Sequence, residues 1–293
     1  MNTNSFCVCA ITFAAIALHA APIPNESKIS GLAVGTRIAS MTVFESVERT
    51  AEAGGKVVEF YPGQILAAGG TLGSQARLDH NADAKSVSEV KGKLAQQGIR
   101  AASYGVVDIP NNEAAARKIF EFAKKLDLYA ITTESVDSLD LIESLAKEFD
   151  IFVAIAHQPK RLSAQGAGGR QAEDTAYKLW HPEYLRDLVA KRDRHIGVCA
   201  DLGHWQSSGF KAIDCVKLFE GRLIAVRAKE RADLGPGQAD IPLGTGITDM
   251  PAVLTELKRQ KFEGPLTLGI PDDGTDPLPK LKQAVDFVRN WKP

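Results

Sequence analysis

The sequence predicts an α/β fold, a (β/α)8 TIM barrel, on three observations. Short apolar runs alternate eight times with amphipathic helical runs. The strand runs are almost continuously apolar, as expected of parallel strands covered on both faces. No glycine-rich phosphate loop follows the first strand, which argues against an open doubly wound sheet, the rival arrangement. A chain of 293 residues, 44% of them hydrophobic, can bury the core of one such barrel.

Taken in order, the strands are expected at Leu32–Thr36, Val57–Tyr61, Ala101–Val107, Tyr129–Thr133, Phe152–His157, Ile196–Ala200, Leu223–Val226 and Leu266–Ile270. The helices between them are expected at Val43–Ala53, Lys85–Gln97, Asn112–Leu126, Ser138–Phe149, Pro182–Lys191, Lys211–Phe219, Met250–Arg259 and Leu278–Trp291. Ser138 and the Asn111-Asn112-Glu113 entry supply side chains that cap exposed backbone N–H groups. Gly54, Gly98 and Gly221 stand where helices stop, at positions that favour a left-handed backbone. Two long loops, Pro62 to Asp83 and Gln158 to Trp180, both follow strands and so belong to the catalytic end of a barrel. The first contains Asp79-His80-Asn81 and the second Gly166-Ala167-Gly168-Gly169-Arg170; either loop is a lid over the mouth or a plain insertion.

The N-terminus is set apart from this pattern. Phe6 to Ala21 is apolar, small and free of Lys and Arg, and it is too short for a comfortable membrane span. Ala20-Ala21-Pro22 then resembles a cleavage zone, so residues 1–21 are expected to be a signal peptide and 22–293 a single barrel domain. The mature protein is expected to be exported, periplasmic or extracellular; it is cytoplasmic if the leader is not a signal. Cys7 and Cys9 would leave with the leader, and the remaining Cys199 and Cys215 sit in apolar patterns as buried thiols. A formal net charge of −1 argues against a nucleic-acid partner, and no membrane contact is expected once the leader is gone. The oligomeric state is left open.

The segment Cys199-Ala200-Asp201-Leu202-Gly203-His204-Trp205 carries the clearest chemical signal. An Asp and a His at the C-terminal end of a buried strand can hold a metal and touch a substrate. The bland alternative is that Asp201 caps the next helix and His204 fills the rim.

Six stretches in order resemble the sugar phosphate isomerase/epimerase family, with its xylose isomerase-like TIM barrel. They are Glu59-Phe60-Tyr61-Pro62-Gly63-Gln64, Tyr104-Gly105-Val106-Val107, Ile131-Thr132-Thr133-Glu134, Gly197 to Trp205, Pro242-Leu243-Gly244-Thr245-Gly246, and Leu257-Lys258-Arg259-Gln260 leading to Glu263-Gly264-Pro265-Leu266. The resemblance implies sugar chemistry by proton transfer, assisted by Mn, Mg, Zn or Co on four strand ends. Those four positions fall on Ala156, Asp201, Arg227 and Gly269. Ala and Gly offer no donor and a guanidinium has no lone pair to give, so Asp201 is the only retained ligand and no cofactor is expected. A register slip would offer His157 in place of Ala156, still only a second ligand.

Arg227 is expected to pair with Asp201 and stand in for the lost cation, or to grip a sugar carboxylate or phosphate. If the chain is an isomerase or epimerase whose site has diverged, the catalytic groups are Glu134, Asp201 and His204 for proton transfer, with Arg227 as a metal-free electrophile. Glu59, His157, Lys229 and Trp205 are expected to contact a small-molecule carbohydrate. The competing reading is a non-catalytic barrel that binds a carbohydrate or a partner. His181 and His195 are expected at the surface or at helix ends, away from the chemistry.

Overall fold

A computed structural model describes residues 33–38, 40–68, 76–161, 176–271 and 273–292. The leader, Cys7, Cys9, Leu32, Gly166 to Arg170 and Asp272 lie outside the described residues. Eight parallel strands close into a barrel: β1 (Ala33–Thr36), β2 (Val57–Phe60), β5 (Arg100–Tyr104), β6 (Ala130–Thr133), β7 (Phe152–Ile155), β8 (Ile196–Asp201), β9 (Leu223–Ala228) and β10 (Pro265–Leu268). Each pairs with its sequence neighbour, and β10 closes the ring on β1. The two remaining strands, β3 (Gln64–Ile65) and β4 (Arg77–Leu78), form a short antiparallel hairpin in the loop after β2, where the sequence showed only a loop.

Around the barrel lie α1 (Val43–Glu52), α2 (Ala84–Gln97), α3 (Glu113–Lys125), α4 (Leu139–Phe149), α5 (Pro182–Val189), α6 (Leu202–Ser207), α7 (Ala212–Leu218), α8 (Met250–Arg259) and α9 (Leu278–Asn290). Local chemistry explains their ends. Thr42 Oγ1 accepts from Glu45 N–H at 3.2 Å while Glu45 Oε2 accepts from Thr42 N–H at 3.0 Å, a reciprocal cap on α1. Asp83 and Asn112 cap α2 and α3 through Ser86 N–H and Ala115 N–H. Gly98 ends α2 in the left-handed region, φ 63°. Ser138 departs from expectation: its hydroxyl donates to the Ile109 carbonyl at 3.0 Å, and α4 starts without a side-chain cap. That bond ties α4 to the preceding loop instead.

Strand alternation divides the core in two. Val153, Ile155, Val198, Ala200, Val226, Leu266 and Leu268 face the helices in the main cluster. Ala130, Ala154, Cys199, Ile224 and Ala225 form a second, smaller cluster, with Tyr129 and Phe152 packed against it. Cys199 and Cys215 are buried free thiols, as expected, and burial pushes both up to about 12. Register places Asp201 opposite Arg227, and Arg227 opposite Thr267, on neighbouring strands. Gly269 N–H donates to the Ala228 carbonyl just beyond β10, so Asp201, Arg227 and Gly269 share the C-terminal end of the barrel. Among the described residues, no helix is long and apolar enough to cross a membrane.

Candidate active site at the barrel mouth

The last residue of β8 is Asp201, and the chain turns there directly into α6, a short helix that the apolar pattern did not reveal. The Asp201 carboxylate does cap that helix: Oδ1 accepts from His204 N–H at 3.1 Å. The capping role and a role in the mouth therefore coexist, because the second oxygen points elsewhere. Asp201 Oδ2 meets Lys229 Nζ at 2.9 Å, and His204 Nε2 lies 3.6 Å from the same oxygen. Lys229 Nζ also stands 3.3 Å from His204 Nε2. An ammonium has three N–H groups, so two partners leave one donor toward the mouth.

A second layer fixes the imidazole. His204 Nδ1 donates to the His157 carbonyl at 2.7 Å, which leaves Nε2 as the lone-pair nitrogen facing Lys229. His157 Nε2 accepts from Asp201 N–H at 3.2 Å, so its proton sits on Nδ1, a buried atom with no partner among the described residues. Burial, then the neighbouring His204, pushes His157 down to about 3; burial also lowers His204. Both rings are neutral near pH 7. Burial alone would raise the Asp201 carboxyl, but Lys229, His204 and Arg227 outweigh it and hold the group well below the usual carboxylate range.

Arg227 does not make the expected pair with Asp201. Its side chain reaches over the bore to β2, where Nε donates to Glu59 Oε2 at 3.0 Å. Glu59 Oε1 accepts from Thr267 at 3.0 Å, and Arg37 Nε approaches Oε2 at 3.6 Å. Register makes Arg227 the strand neighbour of Asp201, but a guanidinium on a long stem reaches past its neighbour. Lys229, two residues on and on the same face of the strand, leans back to fill the position. Two glycines permit this. A Cβ at Gly269 would fall 2.6 Å from Lys229 Cγ, and one at Gly203 would fall 2.9 Å from Lys229 Cβ.

The other expected residues are placed as follows. Glu134, just after β6, is half-buried and accepts from Gln158 Nε2 at 2.7 Å and Tyr177 OH at 3.2 Å, which ties the β6 end to the loop after β7. Trp205 was expected against a sugar, but it is fully buried, with His157 stacked on its ring at 4.7 Å and Phe219 at 5.5 Å. It is a packing residue under the mouth. Asp79 Oδ1 accepts from Asn81 N–H at 2.6 Å, closing a local turn. His195 is buried at the start of β8, far from the mouth end, between Asp193 at 2.6 Å and Asp150 at 3.0 Å.

The residues present do not fit the divalent metal that the resemblance implies. Ala156 and Gly269 carry no donor, Arg227 is consumed by Glu59, and the free oxygen of Asp201 is taken by an ammonium. Among the described residues, no three His, Cys, Asp or Glu side chains gather as a metal requires.

A family model described as a xylose isomerase-like TIM barrel matches residues 47–291. A structure of an uncharacterised protein from Parabacteroides distasonis superposes with a TM-score of 0.66 at 24% identity, covering 90% of this chain and 100% of that one. A D-psicose 3-epimerase with D-tagatose, from Clostridium cellulolyticum, gives 0.64 at 13% identity, over 88% and 98%. A D-allulose 3-epimerase from a Methylomonas species, in complex with D-allulose, gives 0.62 at 16% identity, over 94% and 100%. At these identities the likeness is one of fold. Among curated proteins none matches the chain.

Proposed function

This chain belongs to the xylose isomerase-like TIM barrel family, and from that premise we propose that it binds a small carbohydrate at the barrel mouth and moves a proton on it, as a sugar isomerase or epimerase does. One observation carries the reading: an ionised carboxylate, an ammonium and a neutral imidazole meet within 3.6 Å at the C-terminal end of β8 and β9. Each has a separate task. His204 Nε2 takes the proton from the carbon next to a sugar carbonyl, its tautomer fixed by the His157 carbonyl. The Lys229 ammonium donates to the carbonyl oxygen as negative charge grows there. Asp201 orients Lys229 through its 2.9 Å ion pair. Glu134 is a second acid or base on the β6 side, and Arg227 with Glu59 holds the floor of the site.

The test is exchange with solvent. The protein is incubated with ketohexoses and ketopentoses in deuterated water, and the sugar is followed by NMR. Deuterium should enter at the carbon next to the carbonyl, and His204→Gln should slow that entry by about two orders of magnitude, the lower end for a general base. The mutual neutralisation of Glu59 and Arg227 favours the second reading, a binding barrel without turnover. Saturation of a sugar signal with no deuterium entry would establish that reading instead.

We also propose export. Cleavage near Ala20 or Ala21 should give a mature chain starting close to Ala21 or Pro22. N-terminal sequencing of protein from the native cell checks this, and an intact Met1 in the cytoplasmic fraction overturns it.

A further inference from the structure

The barrel mouth holds more cations than its own carboxylates match. Lys229 with Asp201 and Arg227 with Glu59 are close pairs, at 2.9 Å and 3.0 Å. Arg37, the first residue past β1, has no carboxylate of its own among the described residues. Its Nε lies 3.6 Å from Glu59 Oε2, beyond hydrogen-bond distance, and Arg227 already holds that oxygen. We infer that Arg37 sets the specificity of the mouth and takes the carboxylate of a sugar acid, a ketose whose far terminal carbon is oxidised to a carboxyl group. The inference deepens the functional reading above and rests on it for a sugar in the mouth.

Three observations support it. First, donors outnumber acceptors around Glu59. Thr267 occupies Oε1 and Arg227 Nε occupies Oε2, while Arg227 Nη2 and Arg37 Nε are buried with no hydrogen-bond partner among the described residues. Buried polar groups are nearly always hydrogen-bonded, so this cluster calls for a second acceptor. Arg227 is 6% exposed and acts from beneath through its charge, whereas the Arg37 side chain is 31% exposed and can meet a ligand. Second, the charge is laid out in one direction. Arg37, Arg227 and Lys229 face two carboxylates, Glu59 and Asp201, which leaves one positive charge on the arc from β9 through β10 to β1 and β2. Glu134 stands across the ring, past the end of β6, with Gln158 and Tyr177 as partners and no ion pair among the described residues. An anionic end is drawn toward Arg37 and repelled from Glu134. A carboxylate brings the one charge that the arc lacks, and a phosphate brings about 1.5 to 2. Third, β1 lies two strands from β9, about 10 Å at the usual strand spacing. A hexose chain with a hydrogen bond at each end covers that span, its carbonyl at Lys229 and its carboxylate at Arg37. A guanidinium can donate to both oxygens of such a carboxylate at once.

Deuterium exchange on matched sugars tests this with the full-length protein. The probes are D-fructose and D-tagatose, their 6-phosphates, and the ketouronates D-fructuronate and D-tagaturonate; within each series only the terminal carbon differs. In at least one series wild type should exchange the acid with a kcat/KM about tenfold or more above the neutral sugar and the phosphate, the worth of one hydrogen bond to a charged group. Arg37→Met should bring the acid down to the rate of the neutral sugar, with Arg37→Lys between the two. Equal rates for acid and neutral sugar in wild type would overturn the inference. So would a preference for the phosphate, or a preference for the acid that survives in Arg37→Met. The wild-type comparisons need no variant and decide the matter if Arg37→Met does not fold. If no sugar exchanges deuterium, calorimetric titration with the same probes replaces exchange. Tighter binding of an acid, lost in Arg37→Met, would then keep the carboxylate site while proton transfer fails. Equal binding of acid and neutral sugar, or no binding of either acid, would overturn the site. Exchange at equal rates on all the probes would leave proton transfer standing, so the two failures are distinguishable.

Discussion

Replacing Arg227 with methionine should destabilise the protein by about 3 kcal/mol, the lower end for removing one partner of a buried ion pair. For a barrel of this size that corresponds to a fall in Tm on the order of 10 °C. The reason is the carboxylate left behind. Glu59 is 2% exposed, and its closest charged contact is Arg227 Nε at 3.0 Å. Thr267 would still donate to Oε1, and Arg37 would remain at 3.6 Å, which keeps the loss from the upper end. Glu59→Gln combined with Arg227→Met removes both charges and should recover most of the stability. Urea unfolding of the two variants decides the matter. A single variant within 1 kcal/mol of wild type, or a double variant no better than the single, would show that the pair is not what holds the bore.

Acid should destabilise the protein well above the pH at which carboxylates protonate. Burial holds His157 at about 3, against an unfolded value near 6.5, and also lowers His204. Between those limits the unfolded chain binds protons that the folded chain refuses, so stability rises with pH. It is fully present above about 6.5 and is lost as pH falls, at about 1.4 kcal/mol per pH unit for each fully displaced histidine. Asp201, whose carboxyl is held low by its cationic neighbours despite burial, adds a loss of the same sign below the ordinary carboxylate range. His157→Gln can still accept from Asp201 N–H and carries no titrating group, so its stability should fall more gently from pH 6.5 to pH 4.5. Urea midpoints at pH 7, 5.5 and 4.5 measure this. A wild-type midpoint that is flat over that range would contradict the burial argument.

The barrel was legible because its strands are uniformly apolar and its helices amphipathic; eight of each pattern leave few other folds. The 199–205 segment was legible because Asp and His stand at a strand end, and the structure brings their side chains together. The partner of Asp201 was misread for a physical reason. Register makes Arg227 its neighbour, but reach decides which side chain arrives, and a guanidinium stem spans the bore to Glu59. The available signal was the pair Gly203 and Gly269: two positions without side chains, one in α6 and one just past β10, make room for the stem of Lys229. Trp205 was misassigned because a large aromatic beside a motif was read as substrate-facing, whereas α6 turns it into the core. Helix α6 itself is six residues long, too short for helical periodicity to show.

The end of β9 also works as a registration mark. Arg227 and Lys229 face inward to Glu59 and Asp201, Ala228 faces the helices, and Glu230 accepts from Gly244 N–H at 2.9 Å and Thr248 N–H at 2.7 Å. Four consecutive residues thus have four incompatible destinations. Sliding β9 by one residue would turn both cations toward the apolar layer and point the small Ala228 at two buried carboxylates. A strand built only of valine and alanine would tolerate that slip; this one is spelled so that a shifted reading makes no sense.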